Sequence, residues 1–168
     1  MNRTKKLTIL SMLVTLALVL SIVESWIPLP FVFPGVKLGL ANIVTIVVIF
    51  YFGLKDTLLV VLSRCLLASL FGGGFIPFLF SLAGGVLSTI VMYILHKKAP
   101  KLFSITGISI AGSVCHNLGQ IVIAIIITKD IAVTGYLPIL LISGLFMGLF
   151  VGLCSSFTIK AIESADII

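Results

Sequence analysis

Pro34-Gly35-Val36-Lys37-Leu38-Gly39-Leu40-Ala41-Asn42-Ile43-Val44-Thr45 carries the chain from an irregular connection into an apolar helix. The helix is apolar enough for hydrocarbon, yet a lysine and an asparagine stand at its rim. Lys37 has a long stem and reaches a membrane interface from almost any pose. Asn42 lies about one turn further in, where an amide without a partner is costly. A helix that holds such an amide calls for other polar groups at its side. Later apolar segments supply them as Arg64 and His116.

The surrounding composition names the solvent. The chain has 168 residues, 60% of them hydrophobic and 10% charged, with a mean hydropathy of +1.36. Soluble domains carry about 25% charged residues. A single globular core cannot hide this much apolar surface, so the chain is read as a membrane domain with lipid around it. The same figures exclude disorder, and the length leaves no room for a separate soluble enzyme domain. The net charge is +6. Its lysines and arginines cluster between apolar segments, so they are assigned to topology and anionic lipid rather than to nucleic acid. Cys65, Cys115 and Cys154 each sit inside an apolar segment without a CxxC spacing, and they read as small buried hydrophobes. The first apolar run is as long as a spanning helix and is read as one, not as a cleaved signal.

Working outward, the apolar periods and breaks predict a compact all-α bundle of six transmembrane helices at about 7–25, 38–52, 57–70, 76–95, 104–127 and 137–159. The whole chain forms one integral membrane domain. Between the first two helices, Pro28, Pro30 and Pro34 fall within seven positions, with Trp26 before them and Gly35 after. Regular helix is excluded there. This greasy segment is expected to fold back over the bundle as a lid, with Gly35 as its bending point and Trp26 at headgroup level. Six crossings put both termini on one side. Arg3, Lys5, Lys6, Lys55, Lys97, Lys98, Lys101 and Lys160 fall on that side, and Lys37 and Lys129 on the other. Positive-inside bias makes the eight-residue side cytoplasmic, with the protein in the plasma membrane.

Polar groups inside the apolar segments are the candidate site. Arg64 stands mid-helix, where an arginine costs roughly 2.5–3.5 kcal/mol on insertion scales. It either binds an anionic or carbonyl-bearing ligand or forms an internal ion pair with Glu24. His116 and Gln120 are four residues apart and share a helix face, with Asn117 beside them. These groups offer donors and acceptors to a ligand or to an interhelical network. The expected substrate site is therefore Arg64, Asn42, His116, Asn117 and Gln120, with Lys37 and Glu24 at its rim. Gly144, Gly148 and Gly152 form one small-residue stripe, and Ser81, Gly84, Gly85 and Ser88 another. Both allow close helix packing or docking of a partner subunit.

Other chemistry lacks its residues. The sequence has no Walker-type loop, HExxH, GxSxG or CxxC. Gly72-Gly73-Gly74 is not followed by Lys-Ser/Thr. His96 and His116 are far apart without acidic neighbours, so no metal and no other cofactor is assigned. Asp56, Asp130 and Asp166 are isolated and cannot hold Mg²⁺ against a diphosphate. The chain is not expected to be an enzyme.

Several long stretches carry a resemblance. Pro34–Asn42, Leu82-Ala83-Gly84-Gly85, Ser109-Ile110-Ala111-Gly112 and His116-Asn117-Leu118-Gly119-Gln120 resemble the bacterial Gx transporter family, also labelled heptaprenyl diphosphate synthase component I. That family is similar to the substrate-binding S components of energy-coupling-factor (ECF) transporters. The resemblance implies a six-helix S-component-like fold that captures a vitamin-like or quinone- or isoprenoid-precursor ligand from outside. It implies a transmembrane coupling subunit and two cytoplasmic ATPases as partners. Small residues on the first helix would meet the coupling subunit, and Ser11, Thr15 and Ala17 are the nearest matches. The synthase label implies the alternative, a membrane accessory subunit in isoprenoid or menaquinone synthesis. The chain departs from prenyltransferases in having no Asp-rich motif.

Overall fold

Among the described residues, Leu40–Tyr51 is the shortest of six α-helices and the most enclosed, with eight of its twelve residues buried. The computed structural model describes residues 2–26 and 39–165. Within them, α1 (Arg3–Trp26) precedes this short helix, α2. A tight turn leads to α3 (Leu54–Ala68), which continues into a π-helical turn, Ser69–Gly73. Then come α4 (Phe75–Lys98), α5 (Ile105–Thr128), a 3₁₀ turn (Ile131–Tyr136) and α6 (Leu137–Ser164).

Local chemistry sets the breaks. Gly39, Gly53 and Gly74 precede α2, α3 and α4 with φ of 77°, 89° and 72°, a region that side chains other than glycine rarely enter. Ser104 caps α5, its hydroxyl accepting from the Gly107 amide at 3.1 Å. Pro138 lies in the first turn of α6, where no amide hydrogen is needed.

Apart from Asn42 and Thr45, α2 is apolar, and protein surrounds it. Ile46, Val47 and Ile49 pack with Met92 of α4, Ile108 of α5, and Val151 and Ile159 of α6. Val44 and Val48 pack with Leu10 and Ala17 of α1 and Val60 of α3. The long helices instead turn large apolar side chains outward, among them Leu16, Phe146 and Phe157. That is the surface lipid covers.

This arrangement overturns the six-crossing, S-component-like expectation. Among the described residues, four helices are long and apolar enough to cross a membrane: α1, α4, α5 and α6 with its 3₁₀ lead-in. Each has at least 24 residues, or about 36 Å, against a hydrocarbon layer of about 30 Å. With 12 residues, α2 is about 18 Å long. With 15 residues including Lys55, Asp56 and Arg64, α3 is about 22 Å. A helix apolar all round is either membrane-spanning or buried in protein, and composition alone does not separate the two. The described residues form a helical bundle with four apolar spans and a short helix pair set among them.

Contacts align the ends. Lys6 of α1 pairs with Asp56 of α3 at 2.8 Å. The Phe50 ring of α2 meets His96, near the end of α4, at 4.2 Å between centroids. The start of α1, the α2–α3 turn and the end of α4 therefore share one end of the bundle.

Candidate functional site

Glycine lets α4, α5 and α6 approach closely enough to bring their polar groups together. A Cβ on Gly119 of α5 would lie 2.8 Å from the Ala83 carbonyl oxygen of α4. One on Gly84 of α4 would lie 2.8 Å from the His116 carbonyl oxygen and 2.9 Å from its ring. The α6 stripe of Gly144, Gly148 and Gly152 faces α5, meeting Asn117, Ile110 and Thr106 respectively. Gly85 and Ser88 are buried in the bundle as well, and Ser81 is half-buried. On α1, Ala17 is fully buried, whereas Ser11 and Thr15 are exposed and satisfy their hydroxyls on backbone carbonyls one turn earlier.

Arg64 is buried, at 7% exposure. Its Nη1 donates to the Ser21 hydroxyl at 3.3 Å and its Nη2 to Asn42 Oδ1 at 3.5 Å, both long. Its Nε is buried with no hydrogen-bond partner. Glu24 is not its counter-ion. The Glu24 carboxylate accepts from the amides of Gly39 at 2.7 Å and Leu40 at 3.0 Å. It thereby caps α2, satisfying two amides that a helix start leaves open and complementing the helix dipole. Among the described residues the only carboxylate in an ion pair is Asp56, held by Lys6.

Asn42 joins this arginine to a cavity. Gly39, Asn42, Ser113, His116, Asn117, Gly144 and Met147 line a partly open space of about 20 Å³ between α2, α5 and α6. That volume holds one water or one ligand oxygen. Because a guanidinium only donates, it fixes Asn42 Oδ1 toward itself and turns Nδ2 away. Nδ2 faces Gly39, whose missing Cβ would stand 3.2 Å from it. Asn117 donates from Nδ2 to the Leu140 carbonyl at 2.5 Å, tying α5 to the start of α6. Gln120 is buried one turn beyond His116, and its Oε1 has no hydrogen-bond partner.

Of the expected site residues, then, Asn42, His116 and Asn117 share one cavity, while Arg64 reaches it through Asn42. Gln120 stands outside the lining, and Glu24 serves the α2 backbone. Trp26 ends α1 and is 75% exposed. Lys37, Pro28, Pro30, Pro34 and Gly35 lie outside the described residues. Sequence reasoning missed Ser21 and Ser113. Each stands three residues before a named candidate, Glu24 and His116, so helical spacing could have found both. Among the described residues no group of three or more His, Cys, Asp or Glu side chains could hold a metal ion.

The family profile described as heptaprenyl diphosphate synthase component I matches residues 13–158, from α1 into α6. None of the curated proteins compared and none of the solved structures compared matches the chain.

Proposed function

From the premise that the chain belongs to the heptaprenyl diphosphate synthase component I family, we propose that it is the membrane-embedded accessory subunit of a prenyl diphosphate synthase that serves isoprenoid or menaquinone synthesis. The observation that carries this is the family match across residues 13–158, which includes the cavity, two of the apolar spans whole and most of the other two. The division of labour is chemical. Chain elongation needs carboxylates that hold Mg²⁺ against a diphosphate, and this chain has no Asp-rich motif. Catalysis belongs to a soluble partner that carries one. A long prenyl chain is expelled by water. A lipid-embedded subunit beside the catalytic one gives that chain an apolar destination as it grows.

The uptake reading has less behind it. It needs a six-span S-component architecture, and the described residues hold four spans. Affinity purification of the tagged chain from gently solubilised membranes separates the two. The synthase reading expects a soluble, Asp-rich prenyltransferase in the eluate. It also expects long-chain product from labelled isopentenyl diphosphate only when both proteins are present. Recovery of a membrane coupling protein with two ATPases, or full synthase activity without this chain, would overturn it.

A further inference from the structure

Asn42 is a buried amide with one side occupied and the other open. Oδ1 is held by Arg64. Nδ2 has no partner among the described residues and faces the cavity beside Gly39. Behind it stands a guanidinium that meets two neutral oxygens and leaves its Nε without an acceptor. A buried arginine in that state is costly, because neutral acceptors do not replace the water it lost. The remaining cavity wall contributes the Ser113 hydroxyl, His116 and Asn117, and no carboxylate. Glu24, on the neighbouring helix end, has its oxygens on the Gly39 and Leu40 amides and offsets the α2 dipole.

We propose that Asn42, oriented and polarised by Arg64, binds one phosphate oxygen of a membrane amphiphile in the cavity between α2, α5 and α6. Asn42 Nδ2 is the direct donor and Arg64 the positioning residue. The guanidinium fixes which face of the amide looks into the cavity and supplies positive potential through a poorly screened interior. One oxygen is what about 20 Å³ admits. The rest of the head and its tail stay outside, which the partly open wall and flexible Met147 permit. Two sources present this chemistry, a prenyl diphosphate and a phospholipid headgroup. Only the first rests on the synthase reading above.

Thermal unfolding of the purified chain tests this. One arm adds geranyl diphosphate in a neutral maltoside detergent. The other compares phosphatidylcholine nanodiscs with and without phosphatidylglycerol. At a ligand level about 100 times its Kd, the midpoint should rise by roughly 5–10 °C. Asn42→Asp puts a carboxylate against Arg64 and should fold, with the rise abolished. Arg64→Gln should also abolish it, with an unliganded midpoint no lower than wild type, since no ion pair is broken. Arg64→Lys, which still donates to Oδ1, should keep part of the rise. A rise with geranyl diphosphate supports the site and the prenyl source. A rise confined to phosphatidylglycerol supports the site, assigns it to lipid and leaves the synthase reading without this support. No rise in either arm, or an equal rise in Asn42→Asp or Arg64→Gln, overturns the proposal.

Discussion

Glu24, in the last turn of α1, and Arg64, within α3, are the two charges that a sequence most readily pairs, and the fold gives them different work. Glu24 holds the first amides of α2. Glu24→Gln retains one acceptor but loses charge at the helix start, and should lower stability by about 1 kcal/mol, in the range of lost N-caps. If the two residues formed an ion pair, Arg64→Gln would rescue that loss. The expected result is that the effects of Glu24→Gln and Arg64→Gln simply add, within about 0.5 kcal/mol, in a denaturation double-mutant cycle. Non-additive rescue would restore the pair. These roles were not legible in advance because a carboxylate near a helix end can serve a backbone or a guanidinium with equal chemistry. Only the 15-residue separation closed across the α1–α2 junction decides it.

The helices depend on where a Cβ can go. At Gly119, Gly148 and Gly152 the obstacle is backbone: Ala83 O at 2.8 Å, Ile110 Cα at 2.7 Å and Thr106 Cα at 2.7 Å. Alanine at any of these pushes two helices apart and should cost roughly 1–3 kcal/mol, the scale of overpacking. At Gly112 the obstacle is side chain, the Met92 sulfur at 2.5 Å and its Cγ at 2.6 Å, and a methionine has rotamer freedom that the helix backbones lack. Gly112→Ala should therefore be the mildest of the set in thermal unfolding, and equal costs across all four would refute this account. α2 supplies a second contrast. Ile46 is 1% exposed and central, so Ile46→Ala should cost about 2–5 kcal/mol. Phe146 is 67% exposed on the lipid side of α6, so Phe146→Ala should cost far less in the same bilayer. The small-residue stripes were visible as patterns in the sequence. That the α6 stripe and Gly84 of the α4 stripe both pack against α5 inside the bundle needed the neighbouring helix to be in place.

At the scale of the molecule, the bundle has two ends of different charge. Lys6, Lys55 and Asp56 gather with the end of α4, where Lys97 and Lys98 follow His96. Lys129 stands beyond the far end of α5. Single cysteines at Lys55 and Lys98, in a background without Cys65, Cys115 and Cys154, should resist a membrane-impermeant maleimide in intact cells. One at Lys129 should react. The bias of lysines and arginines sets that direction. Labelling at Lys98 with protection at Lys129 would invert the protein, and opposite behaviour of Lys55 and Lys98 would break the shared end.

Composition by itself determined that this chain lives in lipid, because 60% hydrophobic and 10% charged residues cannot be buried in a domain of this size. The apolar runs and glycine or proline breaks determined that it is all helical, and stretches such as His116–Gln120 pointed to its family. Tertiary structure alone decided that α2 is wrapped by protein instead of spanning lipid. Its sequence, Leu40-Ala41-Asn42-Ile43-Val44-Thr45-Ile46-Val47-Val48-Ile49-Phe50-Tyr51, suits either environment, since hydrocarbon and a packed apolar core make the same demand on side chains. It alone decided that Arg64 meets Asn42 and Ser21, because hydrogen bonds between helices depend on rotation and depth, which periodicity leaves free.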